Sequence, residues 1–518
     1  MREFNIFGPV YPEYHYHVNR VESKAIMREK VERGRYFTLN AGRQTGKTTL
    51  FREIVEELEA TGNYVGIRLN FEILTNLTRE RTYEVLGYEL NDWRKDFWPS
   101  APEPSTMQDQ HHFIQWLKNV SRVIDKRVVL IIDEFEAVPI EITAGLLSQF
   151  RGMYLQRLEP GSDSVYSIIL VGVRSVAHLL GGSQSPFNIA DQYTVPYFSK
   201  EEVIDLLSQH TEATGQPFEG IVFDSVFAQS EGQPFLVNRL GQLLTETYAT
   251  DRSQPITKKH FDQALNKLIN ENNTNFYSIR SKAKLHKDLL LDALFRSRKY
   301  YDYQDEVMQE FLMYGIMRLI PDEYGSEYAR IANPIYQKLL VKTFAPSHSL
   351  IRQVPITELQ VYHRFMVEDI LDTDSLMDSF KDFMEEHGVR LLKSEATHNP
   401  LEISGQYMLL SYLTAVLSSI DGYATVESLS VAGEMDIVGF HRGQRFIIET
   451  KIWYGKAKYE QGLTQLSNYL RAAGLQKGYM VIFDHKKDNN VLLQENADVF
   501  ELTLDDKTMR VYLIGVTI

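Results

Sequence analysis

The chain has no cysteine. That absence removes disulfides, thiolate metal sites and thiol nucleophiles together, and it fits a reducing compartment. No run approaches the roughly 20 consecutive apolar residues a membrane span needs, and the opening Met-Arg-Glu-Phe-Asn lacks the basic-then-apolar pattern of a secretory leader. Both absences predict a soluble, cytoplasmic protein with no membrane partner. Positive charge is scarce as well: 55 Lys and Arg face 69 Asp and Glu, for a net charge of -14. A protein that coats nucleic acid indiscriminately needs the opposite balance, so any nucleic-acid contact must come from local basic patches. Low-complexity tracts and fixed-period repeats are missing too. What the chain does have is length, 518 residues of which 43% are hydrophobic, enough for about three or four domains with real cores.

Strand-like runs at Tyr36-Phe-Thr-Leu-Asn40, Tyr64-Val-Gly-Ile-Arg-Leu69, Arg127-Val-Val-Leu-Ile-Ile132 and Tyr166-Ser-Ile-Ile-Leu-Val171 alternate with longer helical segments. That alternation predicts an α/β fold with a parallel sheet covered by helices. Between the first run and an amphipathic helix from Thr49 to Leu58 stands Ala41-Gly-Arg-Gln-Thr-Gly-Lys-Thr48. A phosphate-binding loop needs glycines for close backbone approach, a lysine for the outer phosphates and a hydroxyl for magnesium, at the mouth of a helix. Gly42, Gly46, Lys47 and Thr48 supply these, and Thr49 begins the helix. The third run ends in Asp133-Glu134, two acids at the carboxyl end of a strand buried on both faces, which costs solvation unless a cation compensates. Asp133 is expected to hold Mg2+ through water and Glu134 to polarise the attacking water, so hydrolysis of ATP is expected as well as binding. Arg174, after the fourth run, is the candidate sensor of transition-state charge. Arg151 and Arg157 are either fingers toward a neighbouring subunit or ordinary surface arginines.

Beyond Phe198 the pattern turns helical. Ser199-Lys-Glu-Glu202 reads as an N-capped start, residues 261–269 have helical apolar spacing, and Asn270-Glu-Asn-Asn-Thr-Asn275 reads as a boundary. Two helices and a hairpin, Met317-Arg-Leu-Ile320 with Tyr328-Ala-Arg-Ile331, then suggest a winged helix, followed by a helical connector over 356–386. The expected domains are a P-loop core over 1–198, a helical lid over 199–279, a winged helix over 280–345, a connector over 346–390 and a final α/β domain over 391–518.

Several motifs together resemble the AAA-like ATPases of bacteria and archaea, relatives of the signal-transducing STAND ATPases. They are Tyr16-His-Val-Asn-Arg20, Arg43-Gln-Thr-Gly-Lys-Thr48, Asp133-Glu-Phe-Glu136, Ser185-Pro-Phe-Asn188, Gly232-Gln-Pro-Phe235 and Ala332-Asn-Pro-Ile-Tyr336. The resemblance covers residues 1 to about 345. It implies that Val18 and Arg20 lie near the adenine, that Gly232 to Pro234 sense the nucleotide from the lid, and that the winged helix packs against the ATPase.

Near the other end, Gly433-Glu-Met-Asp-Ile-Val-Gly-Phe440 and Gln444-Arg-Phe-Ile-Ile-Glu-Thr-Lys451 are strand-like runs joined by His441-Arg-Gly443. Residues two apart on a strand share a face, so Glu449 and Lys451 project together, and the hairpin can bring Asp436 beside them. Two acids can hold Mg2+ or Mn2+, and the lysine can orient or deprotonate a water, which is the equipment for phosphodiester hydrolysis. The pattern resembles the PD-(D/E)xK nuclease superfamily, with Met435 in place of the usual proline. The resemblance implies a further metal ligand at Glu402, on a helix from Leu401 to Leu417, and a supporting Gln465 in Gln465-Leu-Ser-Asn-Tyr469, with Gln461 on the same face.

Basic residues Arg280, Lys282, Lys284, Lys287, Arg296, Arg298 and Lys299, and later Lys456, Lys458 and Arg471, could meet phosphates, while Trp453 and Tyr454 could stack on a base. The same charges equally describe a solvated face. The expected function is an ATP-regulated, Mg2+-dependent nuclease acting on DNA in preference to RNA, as a homo-oligomer with an unidentified trigger or partner protein, and by analogy in defence against phage or mobile DNA. Two other readings stay open: a STAND-like signalling switch with the last domain as effector or DNA-binding module, and a DNA-remodelling or transposition ATPase.

Overall fold

The computed structural model describes residues 2–515 apart from 105–106, 160, 173–189, 288, 291–292, 294–298, 301, 303–304, 322–325, 345–357, 386–400, 418–419, 421, 429–434, 454 and 485–496. Two compact units emerge, Met1–Leu265 with Gln309–Gly315, and Asn266–Met308 with Ile316–Ile518.

The first unit is organised by five strands, β1 Phe37–Asn40, β2 Tyr64–Asn70, β3 Arg127–Asp133, β4 Ser167–Gly172 and β5 Asp191–Thr194. All pair in parallel, in the order β2-β3-β4-β1-β5. Both faces are covered, which is why β3 reads as an unbroken apolar run rather than an alternation. Val128, Leu130 and Ile132 pack toward helices Arg79–Phe97, Gln110–Val123 and Ile140–Gln156, whereas Val129 and Ile131 pack toward Val21–Glu32 and Lys47–Ala60. β5 leaves no trace in the sequence: Asp191-Gln-Tyr-Thr194 is a half-exposed edge strand whose pairing with β1 comes from the fold.

The helices beyond Phe198 start as the sequence predicts. Ser199 and Glu202 form a reciprocal capping box on Lys200–Thr214. Gly220–Ser230, Pro234–Gln242 and Lys258–Ile269 follow. The N-terminal segment threads beside them: the Tyr16 hydroxyl lies 3.2 Å from His210 Nδ1, and Gln209 bonds both the amide and the carbonyl of His17.

In the second unit, helix Thr274–Leu285 precedes a three-stranded sheet of β6 Lys299–Tyr300, β7 Met317–Pro321 and β8 Glu327–Ile331, in the order β6-β8-β7, and helix Pro334–Phe344 follows. The connector differs from the continuous helical stretch expected. Helices Glu358–Phe365 and Thr373–Phe383 are interrupted by a tight hairpin, β9 Met366–Val367 with β10 Ile370–Leu371. Its turn residues Glu368 and Asp369 both have positive φ, 49° and 65°. That is the twist a two-residue hairpin needs, and it stops the helix.

A six-stranded sheet completes the unit: β11 Gly422–Ser428, β12 Met435–His441, β13 Gln444–Ile452, β14 Lys477–Asp484, β15 Val499–Leu504 and β16 Lys507–Gly515, in the order β11-β12-β13-β14-β16-β15. β13 and β14 are parallel, connected by helix Lys456–Ala472, which covers the face carrying Val438, Ile447, Met480 and Ile482. Helix Leu401–Leu417 meets Phe483 at Gly405, on the opposite face. Helix Thr373–Phe383 is clamped to the sheet by charge. Arg510 lies 3.1 Å from Asp374 and 2.8 Å from Asp378, and Lys477 lies 2.7 Å from Asp374. No helix among the described residues is long and apolar enough to cross a membrane.

Candidate functional site

In the first unit the chain leaves β1 at Asn40, turns through residues 41–46 and enters helix Lys47–Ala60. Gly46 adopts the left-handed conformation, φ 82°, at the turn into the helix. Lys47 is buried, and its ammonium donates to the carbonyls of Ala41 at 2.9 Å and Gly42 at 3.0 Å. Burial draws the Lys47 pKa below its usual value, against the pull of Glu134 and Asp133. The Thr48 hydroxyl donates to Asp133 Oδ2 at 3.0 Å, so two hard oxygens 85 positions apart in sequence meet at the end of β3. They fit Mg2+, whose preferred ligands are such oxygens.

Glu134 follows in a left-handed turn, φ 51°, with its own amide donating to Asp133 Oδ1 at 3.0 Å. Burial first, and then the neighbouring charge of Glu136, push its carboxyl up to about 7, while Lys47 opposes the shift. Burial also raises Asp133, with the Thr48 hydroxyl and the Glu134 amide pulling the other way. A pocket that disfavours its own carboxylate charge is one into which a cation fits. Glu136 reaches across to β4: a Cβ added at Gly172 would lie 2.2 Å from Glu136 Oε2.

Above the loop lies a cavity that Val18, Arg20, Gly46, Thr49, Leu50 and Pro234 help to line. Val18, Arg20 and Pro234, singled out in the sequence, are thus brought together with the loop. Arg20 is 6% exposed, donates to the Thr45 carbonyl at 3.4 Å and to the Pro196 carbonyl, and stacks on the Phe198 ring at 5.1 Å. Burial lowers its pKa from the usual guanidinium value. Thr49 lines the cavity, but its hydroxyl accepts from the Val10 amide at 2.9 Å and so fastens the N-terminal segment.

Gly42 and the Gly232-Gln-Pro-Phe235 stretch stand out in the sequence, but the contacts they make, and Phe198 and Tyr314 beside them, do not. Gln233 caps helix Pro234–Gln242, accepting from the Leu236 amide at 2.7 Å, and donates to the Gln44 carbonyl at 3.4 Å, which ties that helix to the loop. The Phe198 amide donates to the Gly232 carbonyl at 2.8 Å. Gly42 is approached by backbone: a Cβ there would lie 2.9 Å from the Tyr314 carbonyl, and the Tyr197 hydroxyl donates to Gly315 at 3.3 Å. Arg157 is bound within its own chain. It donates to the Gly34 and Tyr154 carbonyls and stacks 3.6 Å from the Tyr154 ring centroid, which does not leave it extended toward a neighbour. Arg151 is exposed, and Arg174 and Ser185 to Asn188 lie outside the described residues.

The second unit holds the other constellation. Glu449 on β13 is 1% exposed, its Oε1 lies 2.8 Å from the Lys451 ammonium, and its Oε2 is buried with no hydrogen-bond partner among the described residues. Room for the lysine comes from Gly462 on helix Lys456–Ala472, where an added Cβ would lie 3.4 Å from Lys451 Cγ and 2.5 Å from Met480 Cε. The ladder of β12 with β13 ends at the pair Ile437 and Ile448, one residue short of Asp436 and Glu449, while Asp436 pairs with Glu427 of β11. The side chains of Asp436 and Glu402 lie outside the described residues. Glu402 sits in the first turn of the helix on the opposite face. Gln465 is half-buried and donates to the Tyr469 hydroxyl; Gln461 is exposed. A buried carboxylate with one oxygen on a lysine and the other unpaired fits a divalent cation. Among the described residues no group of three or more His, Asp or Glu side chains is placed to hold a metal ion. The nearby basic residues are partly offset, Lys456 by Glu460 at 3.8 Å and Arg471 by Asp505 at 3.6 Å. Arg296, Arg298 and Tyr454 lie outside the described residues.

Residues 7–253 match the family of the AAA-like domain. No curated protein matches the chain. Among solved structures it is similar to the Walker-type ATPase PABY2304 of Pyrococcus abyssi, with 16% identity and a TM-score of 0.46 over 65% of this chain and 99% of that one. It is similar also to the Aeropyrum pernix Orc1 protein in complex with DNA, at 14% identity and TM-score 0.35 over 65% and 95% of the two chains. The Thermotoga maritima RuvB Holliday junction branch migration motor shows 12% identity and TM-score 0.33 over 60% and 92%.

Proposed function

With an AAA-like P-loop ATPase domain at residues 7–253 as its premise, we propose that the chain is an ATP-regulated, Mg2+-dependent nuclease that hydrolyses nucleic-acid phosphodiesters, DNA in preference to RNA. In the first unit Lys47, which donates to the Ala41 and Gly42 carbonyls, would turn to the outer phosphates, and Thr48 and Asp133, bonded to each other, would hold Mg2+. The ion neutralises phosphate charge when bound. Glu134, poised near neutrality, accepts hydrogen bonds from the attacking water and aims it.

The observation that carries the nuclease reading is Glu449, fully buried with one oxygen on Lys451 and the other without a partner among the described residues. Breaking a buried pair leaves an uncompensated charge, so such a group persists only where it has work or a partner. Asp436 and Glu449 would hold the divalent ion, which activates water and stabilises charge on the phosphate. Lys451 orients the water, and Gln465 with Tyr469 fixes the helix side of the site. Glu402, in the first turn of helix Leu401–Leu417, is the further ligand that the sequence resemblance implies.

The test is cleavage of supercoiled, linear and single-stranded DNA and of RNA by the purified chain, with Mg2+ or Mn2+ and across an ATP titration. Cleavage that Glu449→Ala abolishes and EDTA suppresses supports the reading. Undiminished cutting by Glu449→Ala refutes the nuclease site; cutting indifferent to ATP refutes the regulation alone. Assembly as a homo-oligomer is read from light scattering with and without ATP.

A further inference from the structure

We infer that Asn238 selects the base, accepting a hydrogen bond from the exocyclic amine of adenine and so favouring ATP over GTP; this rests on the ATP-binding reading above. Asn238 lies on helix Pro234–Gln242, is 7% exposed, and lines the same cavity as Val18, Leu50 and Phe235. Its amide orientation is fixed by chemistry. Nδ2 donates to the Pro234 carbonyl at 2.9 Å, and the flipped amide would set two oxygens against each other. That leaves Oδ1, which is buried and has no hydrogen-bond partner among the described residues. A buried acceptor without a donor is costly, so its natural complement is a donor delivered by whatever fills the cavity.

The lining decides which donor. Ile6, Val10, Val18, Leu50, Phe198 and Phe235 give the cavity an apolar side on which a flat ring can lie, while Thr45, Gly46 and Thr49 of the loop line the rest. In the same lining His17 Nε2 and Glu53 Oε1 face each other at 2.6 Å, whereas Arg20 Nε, a buried donor on a residue that is 6% exposed, meets no hydrogen-bond partner among the described residues. One orphan acceptor and one orphan donor complement adenine, which offers its amine beside a ring-nitrogen acceptor. Guanine carries a carbonyl oxygen where adenine has the amine, and would set an acceptor against Asn238. A site built to accept a hydrogen bond rejects ligands that lack the donor more strongly than an apolar wall can.

The experiment measures dissociation constants of the full chain for ATP, GTP and purine riboside triphosphate, which is ATP without the amine, for wild type and Asn238→Ala. Wild type should bind ATP about tenfold more tightly than the amine-free analogue, and more tightly still than GTP. Asn238→Ala should lose about tenfold for ATP and bind ATP and the analogue alike. The wild-type comparison needs no variant to fold, and thermal melting of Asn238→Ala checks that its cavity survives. Equal wild-type affinity for ATP and the analogue overturns the inference. Equal loss for ATP and GTP in the variant overturns it too, since the acceptor would then read the ribose or phosphates both ligands share. Failure of every triphosphate to bind wild type overturns the ATP-binding reading together with this one.

Discussion

Gly232→Ala should loosen the lid and weaken ATP binding together. Gly232 has φ 77°, a conformation that costs an L-residue about 1–2 kcal/mol. A Cβ there would lie 1.9 Å from the Phe198 carbonyl oxygen, 2.9 Å from its carbon and 3.1 Å from its nitrogen. The obstacle is backbone, so no rotamer change relieves it. The 197–199 segment must retreat by about 1 Å or more to restore an ordinary contact, and overpacking of this kind costs about 1–3 kcal/mol. Combined, the two effects lower stability by about 2–5 kcal/mol, or about 4–20 °C in the melting temperature of a unit this size. The retreat carries Phe198 away from Arg20, which it stacks against, and strains its 2.8 Å hydrogen bond to Gly232. Bound ATP would have to restore the original geometry, and every 1.4 kcal/mol of that strain taken from binding weakens affinity about tenfold. Calorimetry with an ATP titration reads both effects. Gly215→Ala is the control, because Gly215 has φ 78° but nothing within 4 Å of an added Cβ, so it should lose only about 1–2 kcal/mol and no ATP affinity. If Gly232→Ala melts and binds ATP like Gly215→Ala, the close approach of Phe198 is not what shapes the site.

The remaining predictions address both units. Lys47→Ala should abolish ATP hydrolysis by removing the outer-phosphate contact, whereas Glu134→Gln should bind ATP normally and turn it over slowly; equal loss of binding in both would refute these roles. Asp436→Ala and Glu449→Ala should lose divalent-ion binding and all nicking of supercoiled DNA, while Lys451→Ala loses nicking but retains the ion, as Mn2+ titration would show. Gly462→Val should also stop nicking without removing an acid, since its side chain would enter the space of Lys451 and Met480; wild-type cutting by this variant argues against Lys451 as the oriented group. Asp374 is held below the usual carboxylate range: burial works against this, but hydrogen bonds from Lys477 and Tyr479 and the charges of Lys477 and Arg510 outweigh it. A depressed carboxyl stabilises fully above its unfolded pKa of about 3.9 and loses that contribution as pH falls through the lower folded value. Asp374→Asn should therefore melt earlier than wild type at pH 7, with the difference narrowing below about pH 4; a gap constant across that range would show that the clamp is not electrostatic.

Spacing along the chain was enough to reveal what is local. The phosphate loop, the acids ending β3, the capping box at Ser199 and Glu202, and the shared face of Glu449 and Lys451 each depend on residues a few positions apart, where helix and strand periods fix the geometry. The edge strand β5 and the hairpin at Glu368 and Asp369 escaped the same reading. Polar edge strands carry no apolar period, and two turn residues inside a helical pattern are a weak signal. Only the tertiary structure decided the rest. Arg20 meets the Pro196 carbonyl and the Phe198 ring across more than 170 positions, Gln233 reaches Gln44 across 189, and Gly462 makes room for Lys451 from a separate helix. Arg157 looks in sequence like a candidate finger, and it is the fold that turns it back onto Gly34. Burial decided the chemistry of Asn238 in the same way: nothing in Pro234-Phe-Leu-Val-Asn238 says which amide atom will be satisfied, because that depends on which neighbours the packing delivers and which it withholds.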